Sequence, residues 1–332
     1  MSVQTHIDKL ETSGLKSSSV RTYKEKLKNL QKLFESRSFD WILSNPVKVG
    51  KKLFSQYDSL PTRKAHISAV LSLFRHSPVL KSKFVHAHKI WASMFEKLET
   101  EITLKYENNE PSEKQLQNFV SWSEVLDRRK YLEKTDPDSA EYFILCLYSM
   151  IPPVRADFNN VVLYEEEPTA EMTAEAPNYL LIRDFDDAGT TKMTLYLNDY
   201  KTAGSGENAK GYKKDFPAEL VSVVRSSLNH HPRDYLIVSP RTGEPFRIDN
   251  SYIKYANQLL AKIFHPKKPT LSLLRHSFIS QLDQNNLTVR DRKEIAKDMM
   301  HSVDQQSLYA FVFNKNKKCK CVCSDDSDIK TP

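Results

Sequence analysis

The sequence predicts a mainly helical chain carrying one small antiparallel β-sheet, with a helical N-terminal domain followed by a mixed α/β domain. Three observations carry this. A length of 332 residues fits about two domains at roughly 150 residues each. Over the first hundred residues, apolar side chains recur at spacings of three and four, the helical period. Residues 179–183 and 193–197 are β-rich runs separated by Asp186, Asp187, Ala188 and Gly189, which are turn residues.

Taken in order, residues 17–35 place Val20, Tyr23, Leu27, Leu30 and Phe34 on one helical face and Arg21, Lys24, Lys28 and Lys32 on the other. Ser17 to Ser19 are N-cap candidates. A second helix starts at Pro61, runs through Thr62, Arg63 and Lys64, and turns Ile67, Val70, Leu71 and Phe74 inward. Pro46 and Pro61 suit helix starts, where a missing N–H costs nothing. A third helix over 83–100 directs Val85, Ile90, Met94 and Phe95 inward. Residues 1–104 thus form the first domain, and the polar stretch 105–112 is the linker. Helices resume at 113–119, 122–133 and 139–151, an acidic loop covers 165–176, and the pattern is mostly helical again beyond residue 220. Leu271, Leu274, Phe278 and Leu282 mark a buried stripe whose helix contains Arg275. Thr288 and Asp291 open a helix ending near His301. Ser302 and Gln305 form a capping box for the next, which places Tyr309 on its second turn. The second domain spans 113–312, and 313–332 are a disordered tail rich in Lys and Cys.

Composition excludes several classes. Charged residues at 27% and hydrophobic ones at 39% are the balance of a soluble globular protein. No apolar run is long enough to span a membrane, and the N-terminus lacks a secretory signal. Only four cysteines occur, three of them at 319, 321 and 323, so a disulfide framework is excluded and a reducing intracellular compartment, cytoplasm or nucleus, is expected. Gly204, Gly206 and Ala209 match a dinucleotide-binding pattern, but no helical period follows them and a hairpin turn is the better reading. The tail cysteines lack further ligands at a zinc spacing, and His230 and His231 are expected to face solvent. Residues 1–100 carry 18 Lys or Arg against 8 Asp or Glu, while the remainder carries 31 against 34. This basic segment is either a surface for a polyanion or a solvated helical face, and charge alone does not decide.

Four patches combine into a chemical logic. They are Pro152-Pro153-Val154-Arg155-Ala156-Asp157, then Asp199-Tyr200-Lys201, then Leu271-Ser272-Leu273-Leu274-Arg275-His276, and finally Met300-His301 with Tyr309. Metal-free phosphodiester cleavage needs a nucleophile, fixed positive charge on the phosphoryl oxygens and a proton donor for the leaving oxygen. Tyr309 suits the first task, Arg155 and Arg275 the second, and Lys201 the third, with His301 a further donor or base. No carboxylate cluster suited to Mg²⁺ lies beside them.

The order of these residues resembles the tyrosine recombinase, or phage-integrase, family. Arg155, Arg275, His301 and Tyr309 follow at intervals of 120, 26 and 8 residues. The Pro-Pro-Val-Arg-Ala-Asp variant resembles integrases of eukaryotic mobile elements and of large DNA viruses or virophages. The resemblance covers about residues 15–312 and implies a core-binding domain that closes over duplex DNA opposite a catalytic domain. It implies strand cutting and rejoining through a 3′-phosphotyrosine, no metal or cofactor, and a homotetramer on DNA at synapsis. Arg21, Lys24, Lys28, Arg63 and Lys64 are then the expected DNA-binding residues of the first domain. Two departures stand out: Ser272 occupies the family's usual His or Lys position, and the acid after the first arginine comes two residues later, as Asp157. Met300 replaces the glycine usual before the histidine. The rival readings are a type IB topoisomerase, which shares this chemistry, and a DNA-binding relative that has lost catalysis.

Overall fold

The structure, a computed structural model, describes residues 3–185, 190–200, 203, 211–248, 250–282 and 286–312. The chain divides into two compact units, one ending at Asn108 and the other beginning at Asn109.

The first unit is helical: α1 (Val3–Glu11), α2 (Ser17–Lys32), α3 (Phe39–Ser44), α4 (Pro46–Gln56), α5 (Leu60–Arg75), α6 (Pro78–Lys83) and α7 (Val85–Glu107). Ser38, Ser59 and Ser77 cap α3, α5 and α6 by accepting a backbone N–H three residues on, a contribution of about 1 kcal/mol each. Prolines stand in the first turns of α4, α5 and α6. Leu27 and Leu30 of α2 meet Ile67, Val70 and Phe74 of α5 in a core closed by Trp91, whose indole N–H donates to the Leu43 carbonyl at 3.0 Å. The inward face of α7 matches the expected one in part: Met94 and Phe95 pack half-buried against this core. Ala87, Trp91, Leu98 and Ile102 are buried, whereas Val85 is 52% exposed. Two apolar stripes interleave on this helix, and the one bearing the large indole removes more area from water. Because α7 continues to Glu107, the polar break shortens to 108–112.

The second unit opens with α8 (Glu113–Asn118), α9 (Trp122–Thr135) and α10 (Ala140–Leu147). Reciprocal capping boxes start α8 at Ser112 and α9 at Ser121. The run from Tyr142 to Leu147 is buried, and α10 packs against α9 and later helices as the centre of this core. It stops well short of the expected residue 151, because Pro152 and Pro153 lack the N–H groups that the Tyr148 and Ser149 carbonyls would need and their rings would clash with those carbonyls. Strands β1 (Val162–Tyr164), β2 (Asn178–Phe185), β3 (Thr190–Leu197) and β4 (Tyr212–Asp215) follow, with α11 (Ala170–Glu175) between the first two. They form one sheet in the order β1-β2-β3-β4. β2–β3 and β3–β4 are antiparallel, but β1 and β2 run parallel, so the sheet is mixed rather than wholly antiparallel. The cause lies in the segment read as an acidic loop: it contains α11 and is long enough to carry the chain back for a parallel crossover. The remaining helices are α12 (Ala218–His230), α13 (Ser251–Ile263), α14 (Leu271–Gln281), α15 (Val289–Asp298) and α16 (Val303–Ser307). Among the described residues, no helix is long and apolar enough to cross a membrane.

Candidate active site

Three chain segments converge around α14. Thr270 caps this helix by accepting from the Leu273 N–H, and its buried face holds Leu271, Leu274 and, unusually, Arg275 at 1% exposure. Burial pulls the pKa of the Arg275 guanidinium below its ordinary value. It is stabilised by two carbonyls, donating from Nη1 to Pro153 O at 2.7 Å and from Nη2 to Met299 O at 3.1 Å. Its Nε has no hydrogen-bond partner.

The first acceptor belongs to the Pro-Pro segment after α10. Two prolines prevent helix there and leave carbonyls free to accept. Arg155 follows in a half-buried position; its backbone N–H donates to Asp157 Oδ2 at 3.0 Å and its Nη1 to Met300 O at 3.1 Å. Tyr148 donates its hydroxyl to Arg155 O at 2.8 Å, and Tyr252 lies 3.0 Å behind in the same chain. Burial pushes the Asp157 carboxyl up, against the pull of Arg155 and Arg275.

The other two acceptors come from the end of α15, which a capping box at Thr288 begins. Here His301 N–H donates to Ala296 O at 3.1 Å and Met300 N–H to Lys297 O at 2.9 Å, a Schellman turn. Met300 holds its left-handed position at φ 54°, a conformation that favours glycine. The turn aims successive carbonyls, Met299 and Met300, at Arg275 and Arg155, and delivers His301 beside them. His301 is 5% exposed. Its Nδ1 donates to Ser302 O at 3.2 Å, which leaves Nε2 as a buried lone pair without a partner. Burial, with Arg275 and Arg155 adding to it, pushes its pKa down to about 3.

Tyr309 is not on the second turn of a helix. α16 ends at Ser307, and Tyr309 lies in the turn beyond, its N–H donating to Gln306 O at 2.9 Å. The half-buried ring has Arg275 Cζ 4.9 Å from its centroid, His276 at 4.7 Å and His301 at 5.5 Å.

Of the expected site residues, Arg155, Arg275, His301 and Tyr309 come together. Ser272 is exposed at the start of α14 and shares a cleft of about 150 Å³ with Lys114, Lys268 and His276. Lys201, the 204–209 turn and the tail cysteines lie outside the described residues. His230 pairs with Asp138 at 3.0 Å. In the first unit Arg21 and Lys28 are exposed, Lys24 pairs with Glu11 at 2.9 Å, and Lys64 pairs with Glu99. Arg63 is engaged in the fold, its guanidinium donating to the Phe54 and Tyr57 carbonyls at the end of α4. Sequence reasoning missed His276 and the tyrosines at 148 and 252. His276 had a signal, adjacency to Arg275 on an amphipathic helix; the tyrosines had none, since buried tyrosines are commonly core.

No family model matches the chain, and no curated protein sequence matches it. Among solved structures the chain is similar to XerA recombinase, with 16% identity, coverage of 94% of each chain and a TM-score of 0.38. It is also similar to XerH site-specific recombinase, solved bound to difH substrate as a pre-cleavage complex. There the identity is 12%, coverage 93% of this chain and 82% of that one, and the TM-score 0.47. At these identities the similarity is one of fold.

Proposed function

We propose that this chain is a DNA strand transferase of the tyrosine-recombinase class, a site-specific recombinase or integrase. One observation carries the reading: Arg155, Arg275 and His301, far apart in sequence, gather with Tyr309 at one spot. In the reaction, the Tyr309 oxygen bonds to phosphorus and the bond to the 5′ oxygen breaks, giving a 3′-phosphotyrosyl adduct and a free 5′-hydroxyl. The guanidiniums of Arg155 and Arg275 stabilise the charge that builds on the non-bridging oxygens. The unpartnered Nε2 of His301 takes the phenolic proton. An arriving phosphate offsets the two guanidinium charges that depress this histidine and so raises its proton affinity. Lys201 is assigned the proton given to the 5′ oxygen, and the Ser272 hydroxyl a hydrogen bond to a phosphoryl oxygen. Reversal onto another strand conserves bond energy, so no ATP is needed. The basic first unit holds duplex DNA, and four copies meet at synapsis.

The test is capture on a pool of nicked duplexes with randomised sequence, in which loss of the short downstream strand traps the adduct. Wild type forms an SDS-resistant DNA adduct and Tyr309→Phe forms none; an adduct of equal yield in the variant overturns the assignment. Chelation of divalent cations leaves the yield unchanged. With an intact selected duplex, recombinant products mark a recombinase, and relaxation of supercoils without them marks the topoisomerase reading.

A further inference from the structure

The nucleophile of the proposed site sits in a turn after a five-residue helix, an element too short to hold a position by itself. Its place is set from outside, by α14. His276 Nδ1 is 2.8 Å from the Tyr309 carbonyl oxygen. A carbonyl can only accept, so Nδ1 carries the proton and donates. One turn further along α14, Ser280 Oγ accepts the Phe311 N–H at 2.8 Å. Between these two bonds the His276 ring lies almost parallel on Phe311, with centroids 4.1 Å apart and planes 9° apart. Phe119 packs against Phe311 at 5.9 Å, and the Val312 N–H donates to Asn109 O at 3.0 Å, which anchors the chain beyond.

We infer that His276 and Ser280 are positioning residues that tether the Tyr309 segment to α14. The inference rests on the recombinase reading for its purpose. Arg275 and His276 are neighbours on one helix, so a single rigid element fixes the guanidinium and the backbone of the nucleophile. Burial pushes His276 down to about 4, which keeps the ring neutral and the tether unchanged near neutral pH.

The competing view is that His276 only fills space. Leucine supplies volume without a donor, whereas the asparagine amide nitrogen stands where Nδ1 stands. In the full-length protein, His276→Leu should slow single-turnover adduct formation on a duplex the wild type cleaves by on the order of 10²-fold, the scale of an ångström's misplacement. Ser280→Ala should slow it roughly tenfold. His276→Asn should recover most of the rate, and none of the three should change duplex affinity. A leucine variant as fast as wild type, or an asparagine variant no better than leucine, overturns the inference. Hydrogen exchange at the Phe311 amide needs no DNA: it should quicken in His276→Leu and Ser280→Ala and stay slow in His276→Asn, and unchanged exchange in the first two overturns the tether. Should wild type form no adduct on any duplex, the recombinase reading fails, and the exchange experiment still decides the tether.

Discussion

Met300 is buried at 1% exposure while holding a positive φ, two demands that no single residue meets well. Removing a buried methionine side chain costs about 2–5 kcal/mol. A left-handed non-glycine residue costs roughly 1–2 kcal/mol. Both Met300→Ala and Met300→Gly should therefore lower stability in urea, but glycine, ordinarily the worse choice, should be the more stable of the two by about 1 kcal/mol. The opposite order would remove the strain argument. Ser272 gives the second prediction at this scale. A hydroxyl that bonds a phosphoryl oxygen is worth on the order of 1–3 kcal/mol in the transition state, so Ser272→Ala should slow cleavage moderately. An alanine variant at the wild-type rate would leave that serine without a catalytic task.

The elements around the site carry two histidines held neutral by burial, His276 on α14 at about 4 and His301 after α15 at about 3. In the unfolded chain both titrate near 6.5. Between those values the unfolded state binds more protons, so stability rises with pH. The contribution is full above about 6.5 and is lost on acidification, at up to about 1.4 kcal/mol per pH unit for each histidine. Thermal midpoints between pH 7 and 4 should fall less steeply in His276→Asn than in wild type; parallel curves would refute the linkage. The same elements show what the sequence could convey. α5 and α14 showed a stripe at the helical period although each also buries residues outside it, Ser72 and Leu273 among them, and α2 was legible because one such stripe has one burial solution. α7 was not, having two. β4, Tyr-Lys-Lys-Asp, escaped because a charged edge strand lacks the apolar alternation that marks a strand. At the site, side-chain identities were readable, but the carbonyls of Pro153, Met299 and Met300 that orient the arginines belong to the backbone, which every sequence shares. Tyr309 was misplaced by a turn because its seat is set by α14, distant in sequence, rather than by its own helix.

For the molecule as a whole, the excess of 18 basic over 8 acidic residues in the first hundred predicts salt-dependent binding of duplex DNA. The log of affinity should fall linearly with the log of salt concentration in the full-length chain. Lys28→Ala should reduce that slope by about one. Lys24→Ala and Lys64→Ala should reduce it less, since Glu11 and Glu99 already offset those charges. Equal effects at all three positions, or an affinity indifferent to salt, would leave the basic face with no role beyond solvation.

The turn after α15 has a consequence for how the site tolerates error. Both guanidiniums share one reference, the consecutive carbonyls of Met299 and Met300, and Arg275 has a second in Pro153 O. A shift of α15 thus disturbs both charges at once, pulling Arg155 through its Met300 bond and working Arg275 against its second anchor at Pro153 O. Lesions in α15 should consequently be rescued by second changes that reseat the helix, and not by changes next to either arginine alone.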